Sequence, residues 1–498
     1  MRERAGVLHD SGGRSSRDGT MISCAHRAFL RWFLPVELLC VGGFLVCLAF
    51  GRQSLGLVFL VGPVPLLAWL AAVQNERYAL LFFAALLPLA GMELLPYHFW
   101  KYLYYAATGA ILLMVSRTGF IVPNDARPKR PELRDGVTLW LLAVAAVMSS
   151  ASAVAHGWTG DNLSLHVVLF VEVLVLLYFF AVTPRTIDEV RRIITVFGVM
   201  LGFTVVVTFM LPAPVGEGGI LGGKIVKTPF GESNLNVFGT FLSAGAVLLL
   251  GLAFETRGLG RRLFLLATVV LSLALLVLTK SRGAWFGFGV AVVYMLLRVR
   301  GAWLYAVAGM AAALMLPFAQ LRHILLARAG ETSVRDPSFL GRMLLMLYAW
   351  KVGSANWLLG VGFDNFRLVK HFYGYPEALV YTMKYHSHNL FVEMFVDLGI
   401  VGFVGFCWLF FGTVVRLHIL SRRRDTPGWG LALGLAAAII AYGAHGLFDF
   451  VAWQHGALAL LFVLLGLGMS VVRLARKGTA QDPRIQGFKE SSVGDSIP

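Results

Sequence analysis

The chain has 498 residues, of which 58% are apolar and only 14% charged, and 43 Lys and Arg against 27 Asp and Glu leave a net charge of +16. A soluble domain carries about 25% charged residues, so this composition excludes an ordinary soluble protein. No nucleic-acid-binding motif accompanies the basic excess, so no nucleic-acid partner is expected.

Residues 1–31 are rich in Arg, Ser and Gly, lack an apolar run of their own, and read as a disordered cytoplasmic N-terminus. The apolar stretch that follows has no small-residue cleavage site and reads as a retained first span. Run length then predicts about fourteen membrane helices, with twelve or thirteen also compatible. They fall near 32–50, 55–74, 78–95, 102–116, 138–156, 166–183, 193–212, 235–254, 263–279, 284–299, 302–318, 390–417, 429–448 and 455–474. The expected organisation is therefore eleven helices over 32–318, a large outer loop over 319–389, three more helices over 390–474 and a basic tail over 475–498. This is an all-α polytopic membrane protein. The four cysteines lie in or beside apolar segments without metal-ligand spacing and read as small packing residues.

Lys and Arg set the orientation. With both termini in the cytoplasm, roughly 29 of the 43 basic residues fall inside. Those left outside, apart from the isolated Arg52 and Lys101, gather in three places. One is Lys224 and Lys227, in a Gly-, Pro- and Asn-rich stretch that reads as a loop, with Asn234 and Asn236 placed to cap the next helix. A second is Lys280-Ser281-Arg282-Gly283 between two spans. The third is the long loop, which carries Arg342 on a helix-like stretch over 339–352 opened by Pro337 and Ser338. Short helices over the outer membrane surface are expected there, since loops of this length are usually functional.

Each place has a chemical and a plain structural reading. Cations at a helix end snorkel by default, but an Arg also presents a planar fork suited to diphosphate oxygens. His386-Ser387-His388-Asn389 ends the long loop, and a histidine there is suited to exchange a proton near neutral pH. Glu393 and Asp397 follow at i, i+4, on one helix face. Glu393 and Asn389 are candidates to orient the histidine, or the acids pair with outer cations. There is no Asp-x-Asp motif and no third ligand beside His386 and His388, so neither a metal nor another cofactor is expected.

Three segments together resemble the O-antigen ligase and polymerase-like membrane glycosyltransferases. His388-Asn389, nine residues, and then Gly399-Ile400-Val401-Gly402 fit the family's His-Asn-x9-Gly-x-x-Gly pattern. Ser281-Arg282-Gly283 fits its Ser-Arg-Gly signature. Gly341-Arg342, Trp350 and the stretch Leu359-Gly360-Val361-Gly362-Phe363-Asp364-Asn365-Phe366 are similar to its long-loop consensus.

The resemblance implies a GT-C-like architecture. It also implies metal-independent, inverting transfer of a glycan from undecaprenyl diphosphate to a lipid A core or a growing chain. Arg282 would grip the diphosphate, helped by Lys280 and Arg342, and His388 would act as base. Lys227 or Lys224 stands where the family has a second arginine, which keeps the charge but loses the fork. Ligase, polymerase (including exopolysaccharide polymerase) and transfer to a protein hydroxyl stay open. From another class, a lipid-linked glycan flippase or transporter would place ionisable groups at mid-membrane, where this chain shows little beyond Glu172.

Overall fold

A computed structural model describes residues 76–90, 133–158, 163–210, 225–228, 231–299, 337–376 and 386–480. Apart from the first four residues of the first helix, these belong to one compact unit, Leu80–Trp100 with Thr118–Pro498. The expected spans at 32–50, 55–74, 102–116 and 302–318, both chain ends, and Lys224 lie outside the described residues. So does the side chain of Glu172.

The fold is helical. In chain order it runs α1 (Glu76–Ala90), α2 (Leu133–Ala155), α3 (Leu163–Val182), α4 (Ile187–Met210), α5 (Leu235–Glu255), α6 (Leu259–Leu278) and α7 (Arg282–Arg298). Then come α8 (Pro337–Ala355), the single turn α9 (Phe366–Val369), α10 (Leu390–Ser421), α11 (Trp429–Gly446) and α12 (His455–Ala480). Among the described residues, α4, α5, α6, α10, α11 and α12 are long and apolar enough to cross a membrane. The protein is a multi-pass membrane protein. The stretch read as a loop before α5 is in part a small antiparallel hairpin, with β1 (Ile225–Thr228) and β2 (Gly231–Asn234) in the register Lys227↔Glu232. Ile225, Val226 and Thr228 are β-branched and favour extended backbone.

α5, α11 and α12 are almost wholly buried, whereas α4, α6 and α10 each turn about half their surface outward. Small residues let the central helices meet at the backbone: a Cβ on Gly251 would lie 2.4 Å from the Gly434 Cα. Bilayer helices gain contact this way, since lipid offers no hydrophobic drive for association.

α10 is broken at Gly399, whose φ of 65° and ψ of −175° interrupt the helix. The break frees carbonyls near the helix start, and a buried free carbonyl needs a donor. The loop supplies it: Val361 N–H donates to Val396 O at 3.0 Å and Gly362 N–H to Asp397 O at 3.0 Å, while Ile400 N–H donates to Trp357 O at 2.7 Å. Gly360 and Gly399 face each other so closely that a Cβ on Gly360 would lie 2.5 Å from Gly399 N. Around this seam Ala349, Val352, Val361, Phe366, Val369 and Val396 form a small apolar core. The long loop is thereby fastened to the first half of α10, at the end of the bundle that carries His388.

Candidate functional site

Chain direction gathers the starts of α5, α7 and α10 and the end of α11 at one end of the bundle. Each helix start exposes N–H groups and the positive end of a peptide dipole, which favours anions. Two of these starts are capped by residues of the sequence motifs. Ser281 caps α7 by accepting from Ala284 N–H at 3.4 Å. Asn389 caps α10 by accepting from Phe391 N–H at 3.0 Å and Val392 N–H at 3.1 Å. Asn389 also donates to Leu447 O at 3.2 Å, so its side chain holds backbone at both ends of the amide.

His388 adopts a left-handed conformation, φ 57°, uncommon for a non-glycine residue. Its Nδ1 lies 2.8 Å from Oδ1 of Asp449, in the turn after α11. A carboxylate there fixes the tautomer in which Nδ1 carries the proton and Nε2 the lone pair. The other Asp449 oxygen accepts from the amide of Asn236 on the first turn of α5. The Asn236 carbonyl oxygen in turn accepts from the Ser281 hydroxyl at 2.8 Å. An unbroken line of side chains thus joins His388 to the residue preceding Arg282. Burial opposes ionisation of Asp449, but the hydrogen bond and charge of His388, with Arg342 and His445, outweigh it and hold the carboxyl down at about 2. Asp449 is therefore an anion at any physiological pH.

Arg342, on α8, is close enough for its charge to act on Asp449 and forms no ion pair among the described residues. Arg282 is the half-buried first residue of α7. Lys280, also half-buried, takes a left-handed turn, φ 54°, just before it. Of Lys227 only the backbone is described, on the hairpin that runs directly into α5.

The second histidine belongs to a separate cluster. His386 is buried between two carboxylates, with Nδ1 2.9 Å from Glu393 Oε1 and Nε2 3.3 Å from Asp364 Oδ1, and it stacks on Trp453 at 6.1 Å. The second Glu393 oxygen accepts from Ser387 N–H at 2.7 Å, and Asp397 accepts from Asp364 N–H at 2.8 Å. Glu393, a candidate to orient the motif histidine, thus meets His386, and the carboxylate on His388 is Asp449. Burial raises the Asp364 carboxyl above its usual range against the pull of His386 and Arg367. Burial likewise lowers Lys370, which lies over the Tyr375 ring at 5.0 Å, to about 8.

Asp449, Asn236 and His445 were not singled out for chemistry from the sequence. Asp449 is one acid in the apolar stretch Leu447-Phe448-Asp449-Phe450, and Asn236 has a sufficient reading as a cap. An acid at a helix end on the cation-rich side was the one available signal. His445 is fully buried one turn before Asp449, with Nδ1 2.7 Å from the Thr240 hydroxyl and its ring against Gly283.

Residues 267–407 match the family described as O-Antigen ligase. The match holds Arg282, Arg342 and His388, while Asn236 and Asp449 lie on either side of it. No curated protein matches the chain. The matched segment carries the Ser-Arg-Gly, long-loop and His-Asn motifs in order on a multi-pass helical membrane protein, and over those residues the chain is similar to the O-antigen ligase family.

Proposed function

We propose that this protein transfers a glycan from an undecaprenyl-diphosphate carrier to an acceptor hydroxyl, as an O-antigen ligase, on the periplasmic face of a bacterial inner membrane. The observation that carries the reading is the hydrogen-bonded line from His388 through Asp449 and Asn236 to Ser281, beside Arg282. It supports the reading by linking the proposed base to the residue before the proposed cation, among helix starts that favour an anion.

The steps follow from this geometry. His388, held by Asp449, takes the acceptor hydroxyl proton on Nε2. The acceptor oxygen attacks the anomeric carbon from the face opposite the diphosphate, which inverts that centre. The carbon–oxygen bond to the diphosphate breaks, and the leaving group takes the electron pair. Arg282, with Arg342 and Lys280, stabilises that growing charge, and Lys224 and Lys227, which precede α5 in the sequence, add their positive charge. A positioned base contributes about 10²–10⁴-fold. Base and cations together supply the chemistry without a metal. The acceptor is a lipid A core, with a growing glycan (polymerase) as the alternative. Both termini face the cytoplasm.

A surface-glycan gel from cells lacking the gene tests this. A lipid A core stripped of long glycan, with lipid-linked polymer accumulating, supports the ligase. Cores bearing a single repeat indicate a polymerase. Lipid-linked repeats trapped on the inner leaflet would replace the transferase reading with a flippase.

A further inference from the structure

We propose that Asn236 and Ser281 are positioning residues that hold Asp449, and through it His388, in register with the Arg282 segment. The proposal rests on the transferase reading only for calling His388 the base. The contacts themselves rest on the geometry.

Every proton in the line has a determined place. An ionised Asp449 accepts only, so the nitrogen of the Asn236 amide must face it. The Asn236 oxygen then faces Ser281, whose O–H donates to it while a lone pair accepts from Ala284 N–H. Turning the amide over would set oxygen against carboxylate. The Asn236 backbone is fixed as well: the Thr240 hydroxyl donates to Asn236 O at 3.0 Å, which obliges His445 Nδ1–H to donate to Thr240. The helices also approach for this purpose, since a Cβ on Gly239 would lie 2.8 Å from Ala284 Cβ and 3.3 Å from Ser281 Cβ. An amide at this point gives Asp449 a hydrogen bond without a competing positive charge, so the carboxylate field stays available to His388. A Lys or Arg there would neutralise it. Among the described residues, the charged and titratable groups that act on Asp449, the partner of His388, are Arg342 on α8 and His445 on α11.

The test uses the full chain in nanodiscs, with diethyl pyrocarbonate as the probe. Peptide mass spectrometry follows labelling of His388 from about pH 5 to pH 9, across the range where a histidine exchanges its proton. Asn236→Leu removes one donor to Asp449 and thereby strengthens the hold of the carboxylate on His388, so the labelling midpoint should move up. Ser281→Ala, the milder change, should move it the same way by less. Turnover of a polyprenyl-diphosphate glycan should fall about ten- to hundredfold in kcat for Asn236→Leu, with KM for the donor little changed. An unmoved His388 midpoint in the folded variants would overturn the proposal, whatever the activity. A shifted midpoint in a protein that transfers no glycan, wild type included, would sustain the positioning role and sink the transferase reading instead.

Discussion

At the end of the bundle away from His388, charged side chains close on the backbone. Glu255, ending α5, takes the Arg191 guanidinium and accepts from Gly428 N–H at 2.7 Å and Leu431 N–H at 3.4 Å, so it caps the start of α11. Arg473 donates to Ala181 O at 3.2 Å, Val182 O at 3.2 Å and Pro184 O at 2.6 Å beyond the end of α3, and Arg424 donates to Arg298 O at 3.1 Å at the end of α7. Glu255, Arg473 and Arg424 there each satisfy a helix terminus, and Arg191 pairs with Glu255. At the His388 end the helix starts are capped by neutral Ser281 and Asn389, and the charged groups meet one another across helices. The difference teaches how to tell a staple from a site. A staple matches its charge to the nearest orphan backbone group. The proposed site instead sets His388 against Asp449, within reach of the Arg342 charge.

The largest effect that would sharpen this contrast is on turnover. His388→Ala should lower kcat about 10²–10⁴-fold in a purified transfer assay, with membrane insertion and yield unchanged. Asp449→Asn should come close to it, because an amide no longer demands the Nδ1 proton and can stabilise the wrong tautomer. Full activity in both variants would remove the site from this end of the molecule.

Next in size, Glu255→Gln should lower thermal stability by about 1–3 kcal/mol, in the range for removing one partner of a part-buried pair, discounted for the partly exposed Arg191. Activity per folded molecule should hold. A kcat loss as large as that of Asp449→Asn would break the comparison.

Gly360→Ala tests the seam between loop and helix. Its φ of 76° costs a side chain about 1–3 kcal/mol before the collision with the Asp397 carbonyl is counted. Loss of protease resistance confined to the long loop is the expected readout; unchanged resistance would mean the loop is fastened elsewhere.

The smallest effect is on acid stability. Asp449 is held below its unfolded value, so its contribution is complete above about pH 4 and lost as pH falls through about 2. Replacing it with Asn should flatten the stability profile in that window and lower stability by a constant amount above about pH 4. A profile that changed most between pH 6 and 8 would assign the dependence to another group.

Much of the architecture was legible because a bilayer imposes length and polarity on each span. The predicted run 235–254 is α5, Leu235–Glu255, and the run 429–448 is α11, Trp429–Gly446. Arg282 and His388 were legible as motif residues. Their connection was not: Asn236 and Asp449 are 213 positions apart, and an asparagine at a helix start looks like a cap until its amide is seen facing a carboxylate. The break at Gly399 was hidden too, because an apolar helix reads the same whether or not a loop donates to its freed carbonyls.

The sequence by itself determined that this is a helical membrane protein, and it located the long apolar helices α4, α5, α6, α10, α11 and α12, within which charge is scarce. Those properties depend on runs of neighbouring residues and on local charge. Only the tertiary structure decided which carboxylate holds His388, that His386 and Glu393 form a separate buried cluster, and that Asn236 spans the gap to Ser281. Those pairings depend on which helix starts and turns meet at one end of a bundle, and helix packing sets that where no local pattern records it.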